Sequence, residues 1–201
     1  DFVLAAGDTE LHAHNTPKGK RKPAIYLSVG EVYTSLDASL NVVNKPLSES
    51  DPIVVPSTLN SYYQIYWLHQ ESAFRTEHPD HAVLRIFEVY GPDCAGYVNA
   101  HIAYAMDKTP HLILHSQHRT IAPLFVDDFK AGFLRFVTVF LEKHVRGLYN
   151  LGNDQGITMG HLADTAYQTW NNTKEKAPLN VKTSNDFVNF HEVPDMTRFK
   201  A

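Results

Sequence analysis

An α/β chain built on a parallel sheet is the fold class that this sequence predicts, and three observations point to it. Two short apolar runs, FVLAA (2–6) and PAIYLS (23–28), have the unbroken hydrophobicity of strands covered on both faces. From residue 61 onward, segments of helical length alternate with apolar runs of strand length, the pattern of successive β/α units. With 201 residues, 43% of them hydrophobic, the chain is large enough to bury a sizeable core.

FVLAA and PAIYLS read as central strands. Between them HAHNTPKGKRK (12–22) is polar and lysine-rich, and Pro17 and Gly19 oppose a long helix, so it reads as a loop. Residues 34–58 carry turn formers with Pro46, Pro52 and Pro56 and no sustained period, which predicts a long surface excursion. Asn60 or Ser61 can cap a helix over 61–77. Its apolar positions Tyr62, Tyr63, Ile65, Tyr66, Trp67, Leu68, Ala73 and Phe74 cover more than one face and predict packing on two sides. HAVLRIFEVYGP (81–92) reads as one strand ending at Gly91 and Pro92, YVNAHIAYAMDK (97–108) as a helix and HLILH (111–115) as a strand. FVDDFKAGFLRFVTVFLEKH (125–144) predicts a long helix capped by Asp127 or Asp128, and GLYNLG (147–152) a strand. Thr158 then starts the helix TMGHLADTAYQTW, LNVKT (179–183) is a strand, and PDMTRFKA (194–201) is a terminal helix capped by Asp195.

Eighteen basic against 22 acidic residues leave a net charge of −4, which argues against whole-surface affinity for nucleic acid or anionic lipid. The loop KGKRK (18–22) is the local exception: a contact for RNA, an acidic partner or an import receptor, or simply a solvated loop. Cys94 is the single cysteine, so no intramolecular disulfide forms, which suits a reducing, intracellular compartment. No run of about 18 apolar residues exists to span a membrane, and DFVLAAGD has neither the basic nor the apolar region of a signal peptide. His12 with His14, or His111, His115 and His118, invite a metal reading. Zinc needs three or four converging ligands, and with no Cys pair or HExxH no metal is predicted; His111 and His115 share a face with Ile113 and read as a half-exposed strand.

LAA (4–6), LSVGEVY (27–33), a tyrosine-bearing helix with Glu71 near its middle, LRIFEVYGP (84–92), LFVDD (124–128), YNLGN (149–153) and VPDMTRFKA (193–201) occur in that order. Together they resemble the extended short-chain dehydrogenases that act on sugar nucleotides, UDP-glucuronate decarboxylases and dTDP-glucose dehydratases above all. LRIF followed by VYGP is the most specific block, and the likeness covers nearly the whole chain. It implies the C-terminal part of a Rossmann-like parallel sheet over residues 1–90 and a small C-terminal α/β substrate lobe with returning strands over 91–201. It also implies NAD across the carboxyl ends of the strands, its pyrophosphate on a glycine-rich turn. The ten glycines form no such turn after a strand, so the first half of the nucleotide domain is expected outside this sequence and NAD binding here weak or absent.

The family's proton machinery is a Ser or Thr, a Tyr and a Lys. Carried over by position, Tyr63 matches the tyrosine, Val29 stands where the hydroxyl belongs, with Ser28 on the opposite strand face, and Trp67 replaces the lysine. A phenol of pKa near 10 works as a base near neutrality only with a cation beside it, so Tyr63 is either a surviving acid–base group or an aromatic packed on Trp67. The resemblance places cofactor contacts at Leu4, Ala5, Ala6, Tyr63 and Arg85 and substrate contacts at Glu88, Arg119 and His191. Glu88 takes the place of an asparagine, Ile121 that of an arginine with Arg119 two places away, and Glu192 that of a basic residue, so a diphosphate would meet carboxylates in place of an amide and a cation. The expectation is a degenerate member acting as a non-catalytic accessory or scaffolding subunit, in a homodimer or larger assembly through the aromatic helix 61–77 and the basic loop 18–22. An active NAD-dependent decarboxylase, dehydratase or epimerase, and a protein that binds NAD without turnover, stand as alternatives.

Overall fold

The computed structural model describes residues 3–6, 22–33, 45–51, 62–114, 117–182 and 191–201. His12, His14, His115, residues 18–21 of the basic loop and most of 34–58 lie outside these described residues. Strands β1 (Val3–Ala6) and β2 (Ala24–Val29) are followed by a 3-10 turn (Gly30–Val32), helix α1 (Tyr62–Glu77) and β3 (His81–Ile86). Next come β4 (Val89–Tyr90), α2 (Tyr97–Asp107), β5 (His111–Leu114), β6 (Thr120–Ile121) and β7 (Leu124–Phe125). The chain continues through α3 (Val126–Lys143), β8 (Gly147–Leu151), β9 (Ile157–Thr158), α4 (Met159–Asn171), β10 (Leu179–Lys182), β11 (His191–Glu192) and α5 (Thr197–Lys200).

The main sheet has the order β1-β2-β3-β8, all parallel, as the unbroken apolar runs predict. Alternation along each strand sends one set of side chains to each helix layer. Ala24, Tyr26 and Val83 meet Phe74 and Trp67 of α1 on one face, while Ile25, Ala82, Leu84, Tyr149 and Leu151 meet Phe136 and Phe140 of α3 on the other. A second core, from Val98, Ile113, Ile121, Met159, Leu162, Ala163 and Ala177, fills a lobe in which α2 and α4 pack side by side against the parallel pair β5–β10.

Several local expectations need correction. β1 lies at the edge of the described sheet rather than at its centre, and Leu4 is 46% exposed. The single strand expected over 81–92 is two strands in different sheets, β3 pairing with β2 and β8, and β4 with β7. The break is at Phe87, whose N–H donates to Leu151 (2.9 Å) and whose ring fills a space that Gly30 leaves, since a Cβ there would stand 2.7 Å from it. The face carrying His111 and Ile113 is fully buried, not half-exposed. Helix α3 starts after Phe125 with no side-chain cap, so Asp127 and Asp128 act inside its first turn, as charges at the positive end of the helix dipole. Thr158 caps α4 as expected, its Oγ1 accepting from the His161 N–H (3.2 Å). Asp195 accepts from the Thr197 N–H (2.9 Å), although Met196 is the residue that precedes α5.

Part of the expected surface excursion is docked. In residues 45–51 Leu47 is buried, donates its N–H to Val193 and accepts from Asp195 (both 2.7 Å), and forms a β-bridge with Pro194. An ion pair from Lys45 to Asp51 (2.6 Å) closes this segment on itself.

Candidate functional site

The parallel strands end side by side, and a cleft of about 390 Å³ opens at their carboxyl ends. Ala6 of β1, Leu27 to Val29 of β2 and Ile86 of β3 line it, with Gly30 and Glu31 from the 3-10 turn and Trp67 from α1. The chain leaving β3 adds Phe87, Glu88 and Val89, and the lobe adds Ala95, Ile121 and Ala122. Of the residues given roles by the resemblance, Ala6, Val29, Trp67, Glu88 and Ile121 meet here. Leu4 and Ala5 are not among the lining residues, and Ala5 is buried. Tyr63 stands in the first turn of α1, one turn before Trp67, and its side chain lies outside the described set. His191 pairs through its backbone with Thr120, and its side chain is likewise outside that set.

The chemistry of the lining follows from these side chains. Val29 offers hydrocarbon where the resemblance would place a hydroxyl. Trp67 offers an indole, 6.3 Å from the Tyr26 ring and edge-on to Tyr66 at 5.7 Å. Ser28 has a hydroxyl, but it donates to Glu71 (2.6 Å) inside the α1 layer. Glu88 has a structural use: its carboxylate accepts from the Val98 N–H (3.4 Å) at the positive end of α2, against Gly96, whose φ of 136° only glycine adopts readily. Arg119 is buried, its guanidinium 4.9 Å from the Tyr97 ring centre and 3.9 Å from Glu31. Among the described residues the ionisable lining groups are the two carboxylates of Glu31 and Glu88, with no lysine, arginine or histidine.

Arg85, placed by the resemblance at the cofactor, is turned into the fold instead. It is 3% exposed and grips Glu71 with two bonds, Nε to Oε1 at 2.9 Å and Nη2 to Oε2 at 2.7 Å. Burial works against its charge, and Glu71 more than offsets that, so its pKa is raised. The Tyr33 ring lies 4.6 Å from the same guanidinium, and its hydroxyl donates to Asn150 Oδ1 (2.7 Å). Burial is the main cause of its raised pKa, opposed by Arg85. Asn150 completes the network by donating through Nδ2 to the Leu47 carbonyl (2.7 Å) and through its N–H to Glu49 (3.0 Å). Ser28, Arg85 and Asn150 are partners in one register row across β2, β3 and β8. Sequence reasoning missed this row, although each of the three is the penultimate residue of its strand and the one polar interruption near the end of an apolar run.

An open parallel sheet with a cleft at the carboxyl ends of its strands, closed by a small mixed lobe, has counterparts among solved structures. UDP-glucuronic acid 4-epimerase from Bacillus cereus, solved in complex with NAD, superposes with a TM-score of 0.72 at 16% identity over 94% of this chain and 56% of its own. dTDP-glucose 4,6-dehydratase from Bacillus anthracis, in complex with NAD, gives 0.69 at 17% over 88% and 54%. The chain has their fold. UDP-glucose 4-epimerase from Thermotoga maritima, solved with UDP-glucose, shares this epimerase/dehydratase fold at a TM-score of 0.69 and 21% identity, over 90% of this chain and 57% of its own. The chain thus spans a little over half the length of the epimerase/dehydratase structures that it matches. No family model matches the sequence, and no curated protein does.

Proposed function

We propose that this chain is a relative of the NAD-dependent sugar-nucleotide epimerases and dehydratases that keeps their fold without the oxidation–reduction step, and that it serves as a non-catalytic accessory or scaffolding subunit. The observation that carries this reading is the cleft surface at Val29 and Trp67, which holds neither a hydroxyl nor a cation at the two positions that would support a tyrosinate. A phenol without such support stays protonated near neutrality and removes no proton from a sugar hydroxyl. NAD does not fit the described lining well. The glycine-rich turn that would hold its pyrophosphate is not formed by these residues, and the indole of Trp67 stands where an ammonium would hold the nicotinamide ribose. A sugar diphosphate would meet the carboxylate of Glu88 with no cation in the described lining.

The test uses the full-length native protein. Supplied with NAD and with UDP-glucuronic acid, UDP-glucose or dTDP-glucose, it is expected to give no product above background, and calorimetric titration with NAD to give no low-micromolar binding. Size-exclusion chromatography with mass detection is expected to show an assembly larger than the monomer. Product formation at ordinary enzyme rates that disappears in Tyr63→Phe would overturn the reading.

A further inference from the structure

The lobe contains a pair of titratable groups that the cleft does not use. His101 of α2 is 1% exposed and His111 of β5 is 0% exposed. Their rings are 12° from parallel with centroids 5.3 Å apart, and their Nδ1 atoms meet at 3.1 Å. At that distance one Nδ1–H donates and the other Nδ1 must accept, so at most one ring of the bonded pair is charged. Both Nε2 atoms are buried with no hydrogen-bond partner among the described residues, so any added proton brings a donor that none of them accepts.

The surroundings offer little to stabilise such a charge. From α2, Tyr104 stands edge-on to both rings, at 6.0 and 5.8 Å. From α4 come Tyr167, 6.1 Å from His111, and Asp164, whose carboxylate favours the charged form of His111 but already accepts from the Ala177 N–H (2.8 Å). From β10, Leu179 stands opposite His111 in register and brings no charge. We propose that the His101–His111 pair is an acid-sensitive latch that holds α2 on β5 while neutral and releases the lobe when protonated. The lobe's core includes Ile121, which also lines the cleft, so release of the latch reaches the cleft wall.

Burial, and then the neighbouring His111, push His101 down to about 4; burial lowers His111 as well, against Asp164. Because both lie below the unfolded value of about 6.5, the unfolded lobe takes up protons first. The latch is therefore at full strength above about pH 6.5 and weakens as pH falls through that window.

An NMR titration of the imidazole carbons in the full-length protein tests this directly. His101 is expected to titrate at about 4 and His111 below the ordinary histidine midpoint, and amide protection over 97–107 and 111–114 to fall on acidification before that of β2 and β3. A midpoint near 6.5 for either ring, or protection lost equally across the sheet, overturns the proposal. His111→Gln retains a hydrogen-bonding group with one fewer titrating ring, and is expected to flatten the fall of the melting temperature between about pH 7 and pH 5, whereas an unchanged slope counts against the latch. Should that variant not fold, the titration of the unsubstituted protein decides.

Discussion

Glu71 supplies a carboxylate to a guanidinium that burial alone would disfavour, and both groups are buried. Removing one partner of such a pair leaves an uncompensated buried charge, so Glu71→Ala is expected to cost about 3–5 kcal/mol in denaturant unfolding. The joint change Glu71→Leu with Arg85→Met leaves nothing charged behind, and is expected to recover most of that loss. A single-variant cost under about 1 kcal/mol would mean that the pair is not structural. The residues themselves were readable in the sequence, Glu71 as a landmark of its helix and Arg85 within LRIF. Their partnership was not, because it depends on α1 lying across β2 and β3 at one particular register, and nothing in the spacing of 71 and 85 fixes that. For the same reason Val29 and Trp67 could be placed at the cleft by resemblance, while the capture of the Ser28 hydroxyl by Glu71 could not.

Elements were read well where one period ran cleanly between distinct ends. The end of β2, the run of α1 and the capped start of α4 all follow local signals, and Thr158→Ala is expected to cost about 1 kcal/mol of thermal stability by leaving the His161 N–H without its acceptor. The division of β3 from β4 was hidden because hydrophobicity continues through Phe87, Val89 and Tyr90 while the backbone changes sheets. Close approach drives that change. A methyl at Gly30 would strike the Phe87 ring, so Gly30→Ala is expected to destabilise by about 1–3 kcal/mol, and a second change, Phe87→Leu, to relieve part of it. Additive losses in the double variant would show that the two positions do not share space.

For the molecule as a whole, the order of motifs along the chain gave the parallel sheet, since each motif sits at a strand end or a helix start. Less legible were contacts between distant parts, of which the row Ser28–Arg85–Asn150 and the seat of Leu47 are the clearest. These contacts join the sheet to the segment 45–51 through Asn150. Asn150→Ala removes the bonds to Tyr33 and Leu47 together, and is expected to cost about 2–4 kcal/mol and to expose 45–51 to limited proteolysis before the main sheet is cut. Unchanged cleavage would show that Leu47 and Pro194 hold the segment without it.

The Leu47–Pro194 bridge also bears on how the protein is made. During synthesis the segment around Leu47 leaves the ribosome well before Val193 to Asp195 exist, so the nascent chain carries an apolar side chain and unpaired backbone groups with no seat to receive them. β2 and β3 can pair in the meantime, yet the seat of Leu47 stays open until residues 193–195 emerge. A chaperone that recognises exposed apolar segments therefore has an interval in which to act on this segment, between the emergence of Leu47 and that of its seat.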